Sequence, residues 1–275
     1  YEWFNIGTSD TGSKLLFAGT RFMLAGIAVL LIYGIKNKKF PSFSKAQAPK
    51  ILLLSAVQIA GNYFFYYLGL SVTAGSVASV LNSFDTFCTV LTVPLIFKDD
   101  KLTLKKFLGC AVGISGIILI NLGSDGISTF KFTGEGFLLI SALFSTAGIM
   151  INKKAASDTD PMIVTGYHLL FGGAALTAAA LALGGKISFS SPKADLCLLY
   201  LAMVSAAAFF IWSALLKYNP VSKVSIFKLM TPIFGNVFSF LALGENILTP
   251  LHLLSLLLVC LGIAAVNTDK PKLKK

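Results

Sequence analysis

Two side chains of opposite charge, Asp85 and Lys228, interrupt stretches of the chain that are otherwise apolar. A charge inside a membrane span costs about 2.5–3.5 kcal/mol on insertion scales, so it needs a partner, a wet cavity or a reach to the interface. Asp85 lies about 12 residues into an apolar run that begins near Thr73, and so short a side chain cannot snorkel from that depth. Its chemistry is that of a ligand for a cationic group, a carrier of a coupling proton, or one half of a structural pair with a buried base. Lys228 lies seven residues into the run that begins at Val221, about 10 Å deep at 1.5 Å per residue. Its stem is long enough either to snorkel to the interface or to turn the ammonium inward. A cavity holding both charges suits a zwitterion such as an amino acid.

Other polar residues stand within the apolar runs. Gln58, Asn62, Tyr63, Tyr66 and Tyr67 form a polar and aromatic series over 50–70, and Phe209, Trp212 and Ser213 form a second over 196–216. Gln58, Asn62, Tyr63 and Trp212 are candidate cavity liners, since residues three and four apart share a helix face. Tyr66 and Tyr67 equally suit an interfacial aromatic belt. Arg21, the only arginine, and His168 are candidates for a proton relay or for structural roles. The structural roles are packing or pairing with Glu2 for Arg21, and an interhelical hydrogen bond for the imidazole. Pro232 and Gly235 offer a hinge, because a proline breaks the helical hydrogen-bond ladder.

The elements that must position these residues are membrane helices. Hydrophobic residues make up 55% of the chain and charged residues 13%, against about 25% charged in soluble domains. Mean hydropathy is +0.79. Nine apolar runs approach the length needed to cross about 30 Å of hydrocarbon: 15–34, 50–70, 73–97, 107–121, 134–152, 161–183, 196–216, 221–243 and 250–267. Lipid offers the backbone no hydrogen bonds, so each run must be helical.

The runs repeat. Residues 50–121 align without a gap on 196–267, with 15 identities in 72 positions at an offset of 146. The offset pairs Asn82 with Lys228 and Asp85 with Thr231, so two polar faces spaced by one helical turn correspond in the two copies. It also lays Tyr1 on Ala147, inside a run, which predicts that most of a first helix is missing and that the complete fold has ten. Five helices per repeat is an odd number, so the copies enter the membrane in opposite senses. Inverted repeats of this kind place a substrate site near midplane between the halves. The expected halves are 1–126 and 127–275.

The charges follow the same plan. Seventeen lysines fall in alternate connections and at the C-terminal end, at 36–50, 98–106, 153–154, 217–223 and 270–275, while the intervening connections hold Lys14, Lys131, Lys186 and Lys193. The positive-inside rule makes the lysine-rich side, with the C-terminus, cytoplasmic. Net charge is +11, but because the bases lie in loops it implies no nucleic-acid partner. The four cysteines and two histidines have no metal-ligand spacing, and Gly184-Gly185-Lys186-Ile187 fails as a phosphate-binding loop. No cofactor is expected. Without a nucleotide motif or a convergent set of acids, a membrane-embedded enzyme is the weaker class.

In their order and spacing these residues resemble the EamA family of the drug/metabolite transporter superfamily. In the second half the resemblance rests on Lys223-Val-Ser-Ile-Phe-Lys-Leu-Met-Thr-Pro232-Ile-Phe-Gly235 and Leu243-Gly-Glu245-Asn-Ile-Leu-Thr249. In the first half it rests on Arg21-Phe22, Tyr66-Tyr67-Leu68-Gly69-Leu70 and the run Thr73 to Ala78. The resemblance implies an all-α integral membrane protein of ten helices in two inverted five-helix repeats, working as a secondary exporter or exchanger of a small polar metabolite. An amino acid is one candidate substrate, and sugar-phosphate or nucleotide-sugar antiport is the alternative. The expected partners are that substrate and the lipid bilayer of the plasma membrane, with a homodimer as an option. The chain departs from the family pattern in carrying Thr86 where Pro232 falls in the other copy, and Asp99 opposite Glu245.

Overall fold

The computed structural model describes residues 4, 6–7, 10–97, 102–122, 130–187, 192–245 and 247–267, and the regular structure among them is helical. Helices begin where the sequence supplies a fixed φ or a spare acceptor. At α1 (Thr11–Asn37) the Asp10 carboxylate accepts the Ser13 N–H at 2.9 Å. At α8 (Pro161–Ala182) Asp160 accepts the Met162 N–H at 2.8 Å, and a proline opens the helix. Proline also opens α9 (Pro192–Tyr218) and α12 (Pro250–Asn267), at the one helical position where its missing N–H has no cost. Between these lie α2 (Ala48–Leu54), α3 (Asn62–Leu70), α4 (Gly75–Asn82), α5 (Phe84–Ile96), α6 (Leu104–Leu122) and α7 (Phe137–Asp158). The last two are α10 (Val221–Ser225) and α11 (Met230–Leu243).

Each of the nine expected runs has a helical counterpart among the described residues, but several are not regular α-helix. A π-helical segment, Ser55–Gly61, joins α2 to α3, and a second, Phe132–Gly136, leads into α7. The run 73–97, expected as one helix, is two: α4 ends at Asn82 and α5 starts at Phe84. Its repeat mate is likewise split, with a 3-10 turn, Ile226–Leu229, between α10 and α11.

The helices gather into two compact units, Tyr1–Ser71 with Ala147–Tyr218, and Val72–Thr146 with Asn219–Lys275. Each draws on both halves of the sequence, and in each a helix packs on its own repeat mate. In the first unit α1 lies against α8 through facing glycines. A Cβ added at Gly19 would stand 2.9 Å from the Gly173 carbonyl oxygen, and one at Gly26 would stand 2.6 Å from that of Gly166. In the second unit α6 lies against α12, where a Cβ at Gly262 would stand 2.6 Å from Gly113 Cα and the Ser255 hydroxyl donates to the Gly116 carbonyl at 2.7 Å. Small residues let backbones approach to van der Waals contact, which is how helices gain packing energy where lipid is as apolar as they are. Gly109, Gly113 and Gly116 form the small-residue face of α6 used in this way.

Large apolar side chains point outward, among them Leu196, Leu199 and Tyr200 on α9 and Phe107, Leu108 and Ile118 on α6. A surface of this kind matches hydrocarbon. Lysines close the helix ends in the first unit: Lys153 Nζ donates to the Leu216 carbonyl at 3.1 Å, Lys217 Nζ to that of Thr159 at 3.0 Å, and Lys50 pairs with Asp158 at 2.5 Å. Lys153 and Lys217 thus satisfy carbonyls at or just past helix ends, and Lys50 meets a carboxylate there.

Candidate functional site

The second unit brings Asp85 and Lys228 together. Lys228 Nζ lies 2.5 Å from Asp85 Oδ2, with the two side chains 16% and 7% exposed, so the pair is largely withdrawn from solvent. The carboxylate has further donors. The Ser145 hydroxyl donates to Oδ2 at 2.7 Å and the Thr86 hydroxyl to Oδ1 at 3.1 Å, while the Thr146 hydroxyl donates to the Asp85 carbonyl at 3.1 Å. A buried ion pair keeps both members charged only when its remaining lone pairs are met in this way.

Backbone breaks position both members. At the first, α-helical bonding gives way to tighter bonds from the Ser83 N–H to the Val80 carbonyl and from the Thr86 N–H to the Ser83 carbonyl, each 3.0 Å. Asp85 therefore sits in the first turn of α5 rather than mid-helix, where the positive end of the helix dipole favours a carboxylate. Lys228 belongs to the 3-10 turn Ile226–Leu229, and the repeat offset of 146 carries Ser83 onto Leu229. The two copies are broken at corresponding residues although only one has a nearby proline. In place of the kink that Thr86 does not make, the first copy has a break at Ser83.

The break also explains what the pair does not include. Asn82 and Thr231 were expected on shared faces with Asp85 and Lys228, but a change of helix type intervenes on each chain segment. Thr231 is exposed and Asn82, the last residue of α4, is half-buried. Pro232 is buried near the start of α11. Gly235 meets α4 closely, since an added Cβ would stand 2.6 Å from Ser79 Cβ, so its contact is a packing one.

α4 is fastened at its N-terminal end by Glu245, whose carboxylate accepts the N–H groups of Gly75 and Ser76 at 2.8 Å each and the Ser239 hydroxyl at 2.7 Å. Burial works to raise the Glu245 pKa. The hydrogen bonds from Ser76, Ser239 and Gly75 outweigh it and hold the pKa at about 2. Further along, Asn236 Nδ2 donates to Ser79 Oγ at 2.9 Å, and Asn236 Oδ1 accepts from His252 Nε2.

The other sequence candidates lie in the first unit. Gln58 is buried within the π-helical segment, with Oε1 lacking a partner among the described residues, and Asn62, Tyr63 and Trp212 are half-buried. Tyr63 packs on Phe22 at 4.5 Å between ring centroids, and Phe22 meets Phe209 at 5.9 Å. His168 is fully buried against Phe209, but its bond is not interhelical as expected: Nδ1 faces the Val164 carbonyl of its own helix at 3.0 Å, and Nε2 has no partner among the described residues. Arg21 lies over the Phe22 ring at 4.6 Å. Glu2, its expected partner, lies outside the described residues, as does Asp99. Sequence reasoning passed over Ser145 and Thr146, for which adjacent hydroxyls in an apolar run were the available signal. It also passed over Asn152, a fully buried side chain whose Oδ1 accepts the Ser213 hydroxyl at 3.0 Å.

The profile of the EamA-like transporter family matches residues 6–122 and again 132–268. A chloroplastic WAT1-related protein of Arabidopsis thaliana is 23% identical over 91% of the chain, which spans 62% of that protein's length. A protein of Chlamydia muridarum named as an S-adenosylmethionine/S-adenosylhomocysteine transporter is 24% identical, over 86% of this chain and 78% of its own. A solved crystal structure of a protein superposes with a TM-score of 0.70 at 16% identity, over 92% of this chain and 88% of that one, a likeness of fold.

Proposed function

Because the chain belongs to the EamA-like transporter family, we propose that it is a secondary active exporter or exchanger of a small polar metabolite of the amino-acid type, working by alternating access. The observation that carries this reading is the Asp85–Lys228 pair at the two corresponding helix breaks. Discontinuous helices in matching places of two repeats are the construction that secondary carriers use to expose polar groups at membrane depth. An ion pair there is charge-neutral when empty. A zwitterion replaces it by offering an ammonium to Asp85 and a carboxylate to Lys228, so the loaded and empty sites carry the same net charge. Both ligands in the name of the Chlamydia muridarum relative contain an α-amino-acid group, which suits the same arrangement. A phosphate ester fits less well, because Lys228 is already neutralised and is followed by Leu229 rather than a second base. The membrane proposed for this carrier is the plasma membrane, and the lysine distribution supports a cytoplasmic C-terminus.

Counterflow in reconstituted vesicles tests the proposal. Vesicles preloaded with one amino acid should take up a labelled one saturably, and Asp85→Asn and Lys228→Ala proteins that insert normally should not. Normal counterflow in both variants would sink the reading.

A further inference from the structure

We propose that Arg21, with Tyr63 and Tyr66, forms a binding site in the first unit for a small organic carboxylate with an apolar or aromatic body. This site uses no residue of the Asp85–Lys228 pair and stands apart from the proposal built on it. Arg21 lies on α1 within an apolar span, half-buried, and its Nε is sealed from solvent without a hydrogen-bond partner. No carboxylate pairs with it among the described residues, and its guanidinium lies over the Phe22 ring at 4.6 Å. An arginine left so in a membrane span is a functional group by default, since pairing or removal would otherwise relieve its cost.

What surrounds the guanidinium are donors and ring faces. Tyr63 and Tyr66 lie within electrostatic reach of Arg21, and their rings are 6.2 Å apart. Neither phenol makes a hydrogen bond among the described residues. Tyr63 packs on Phe22 at 4.5 Å, so the guanidinium and the Tyr63 ring both lie against the Phe22 ring. Guanidinium N–H groups only donate, and a phenol at neutral pH donates readily. A cluster of unused donors with one fixed positive charge is completed by an acceptor carrying negative charge. A carboxylate matches the planar fork of arginine with two parallel bonds and leaves lone pairs for the phenols. The rings select an apolar or aromatic body behind it. A divalent phosphate would bring more charge than one guanidinium balances.

The full chain in phosphatidylcholine nanodiscs is titrated calorimetrically with sodium benzoate, against sodium chloride at equal ionic strength. Saturable heat is expected with benzoate alone. Arg21→Gln should raise the half-saturating concentration by at least about tenfold, Arg21→Lys by less, and Tyr63→Phe or Tyr66→Phe by a few-fold each. Unchanged saturation in Arg21→Gln overturns the proposal, as does heat indistinguishable from chloride. Benzoate binding that appears only in Glu2→Gln assigns the guanidinium to an internal pair and also overturns it. Benzoate heat that disappears when phosphatidylglycerol is included assigns the site to a lipid headgroup and likewise overturns it. Should Arg21→Gln fail to insert, the two tyrosine variants decide, since unaltered affinity in both leaves the cluster without a role. Counterflow by the Asp85 and Lys228 variants is a separate readout, so either proposal can fail alone.

Discussion

Lys228 in the second unit and Arg21 in the first are both bases inside apolar helices, yet Lys228 has a carboxylate 2.5 Å away while Arg21 meets a phenylalanine ring. The surroundings differ to match. Around Lys228 the backbone is broken, and the hydroxyls of Ser145 and Thr86 complete the shell of its partner. Around Arg21 the helix is regular, and the neighbours are rings and unused donors. A base that is paired contributes to holding its unit together, and removing it strands the partner. A base without a carboxylate among the described residues costs its unit stability unless a ligand supplies one.

That contrast sets the order of the expected effects. The largest belongs to the pair: Lys228→Ala leaves Asp85 buried and uncompensated, and should destabilise the protein by about 3–5 kcal/mol. Unfolding in mild detergent checks it, and the Asp85→Asn/Lys228→Gln double variant should recover most of the stability while transport stays lost. A double variant no more stable than Lys228→Ala would show that the two residues are not coupled.

Next in size, Gly113→Leu should cost about 1–3 kcal/mol through overpacking, because an added Cβ already meets the Phe87 ring. Gly34→Leu on α1, whose nearest neighbour to an added Cβ is the Lys39 carbonyl oxygen at 3.8 Å, should change little. Parallel melts of the two variants compare a packed glycine with an open one.

Smaller still is the acid limb of the stability curve. The folded pKa of Glu245 is about 2, below its ordinary value of 4.5. Its contribution is therefore fully present above pH 4.5 and lost as pH falls toward 2. Glu245 is half-buried at the end of a helix, so solvent screening reduces this to about 1 kcal/mol. Wild-type and Glu245→Gln proteins should converge in stability over that window, and parallel curves would remove Glu245 from the role of fastening α4.

The smallest effect is expected at Arg21, where Arg21→Gln breaks no ion pair among the described residues. Removing the charge should leave stability level or raise it by about 1 kcal/mol, because a half-buried guanidinium bears only part of the cost of a charge in a span. A loss as large as that of Lys228→Ala would erase the distinction between the two bases.

Much of this was legible in the chain itself. Nine helical runs follow from apolar length, and their starts follow from Asp10, Asp160 and the prolines at 161, 192 and 250. The repeat offset drew attention to Asp85 and Lys228 before any geometry was known. The break at Ser83 was not legible, since Asn-Ser-Phe-Asp carries no proline or glycine. Nor was the π-helical turn that holds Gln58, because an extra residue in a helical turn leaves no mark on an apolar pattern. Asn152 and Ser213 lie 61 residues apart in sequence, and nothing local links them.

The sequence by itself determined that this chain spans a membrane with duplicated helices, and which few polar groups are carried into it. Hydrophobic length and the backbone's need for hydrogen bonds are local constraints that composition expresses directly. Which of those polar groups find partners was decided only by tertiary structure. Pairing depends on where helices break and how closely their glycines let them approach, and those are properties of two segments meeting rather than of either alone. Lys228 and Arg21 read alike in the sequence, and only the fold gives one a carboxylate and, among the described residues, sets the other over a ring.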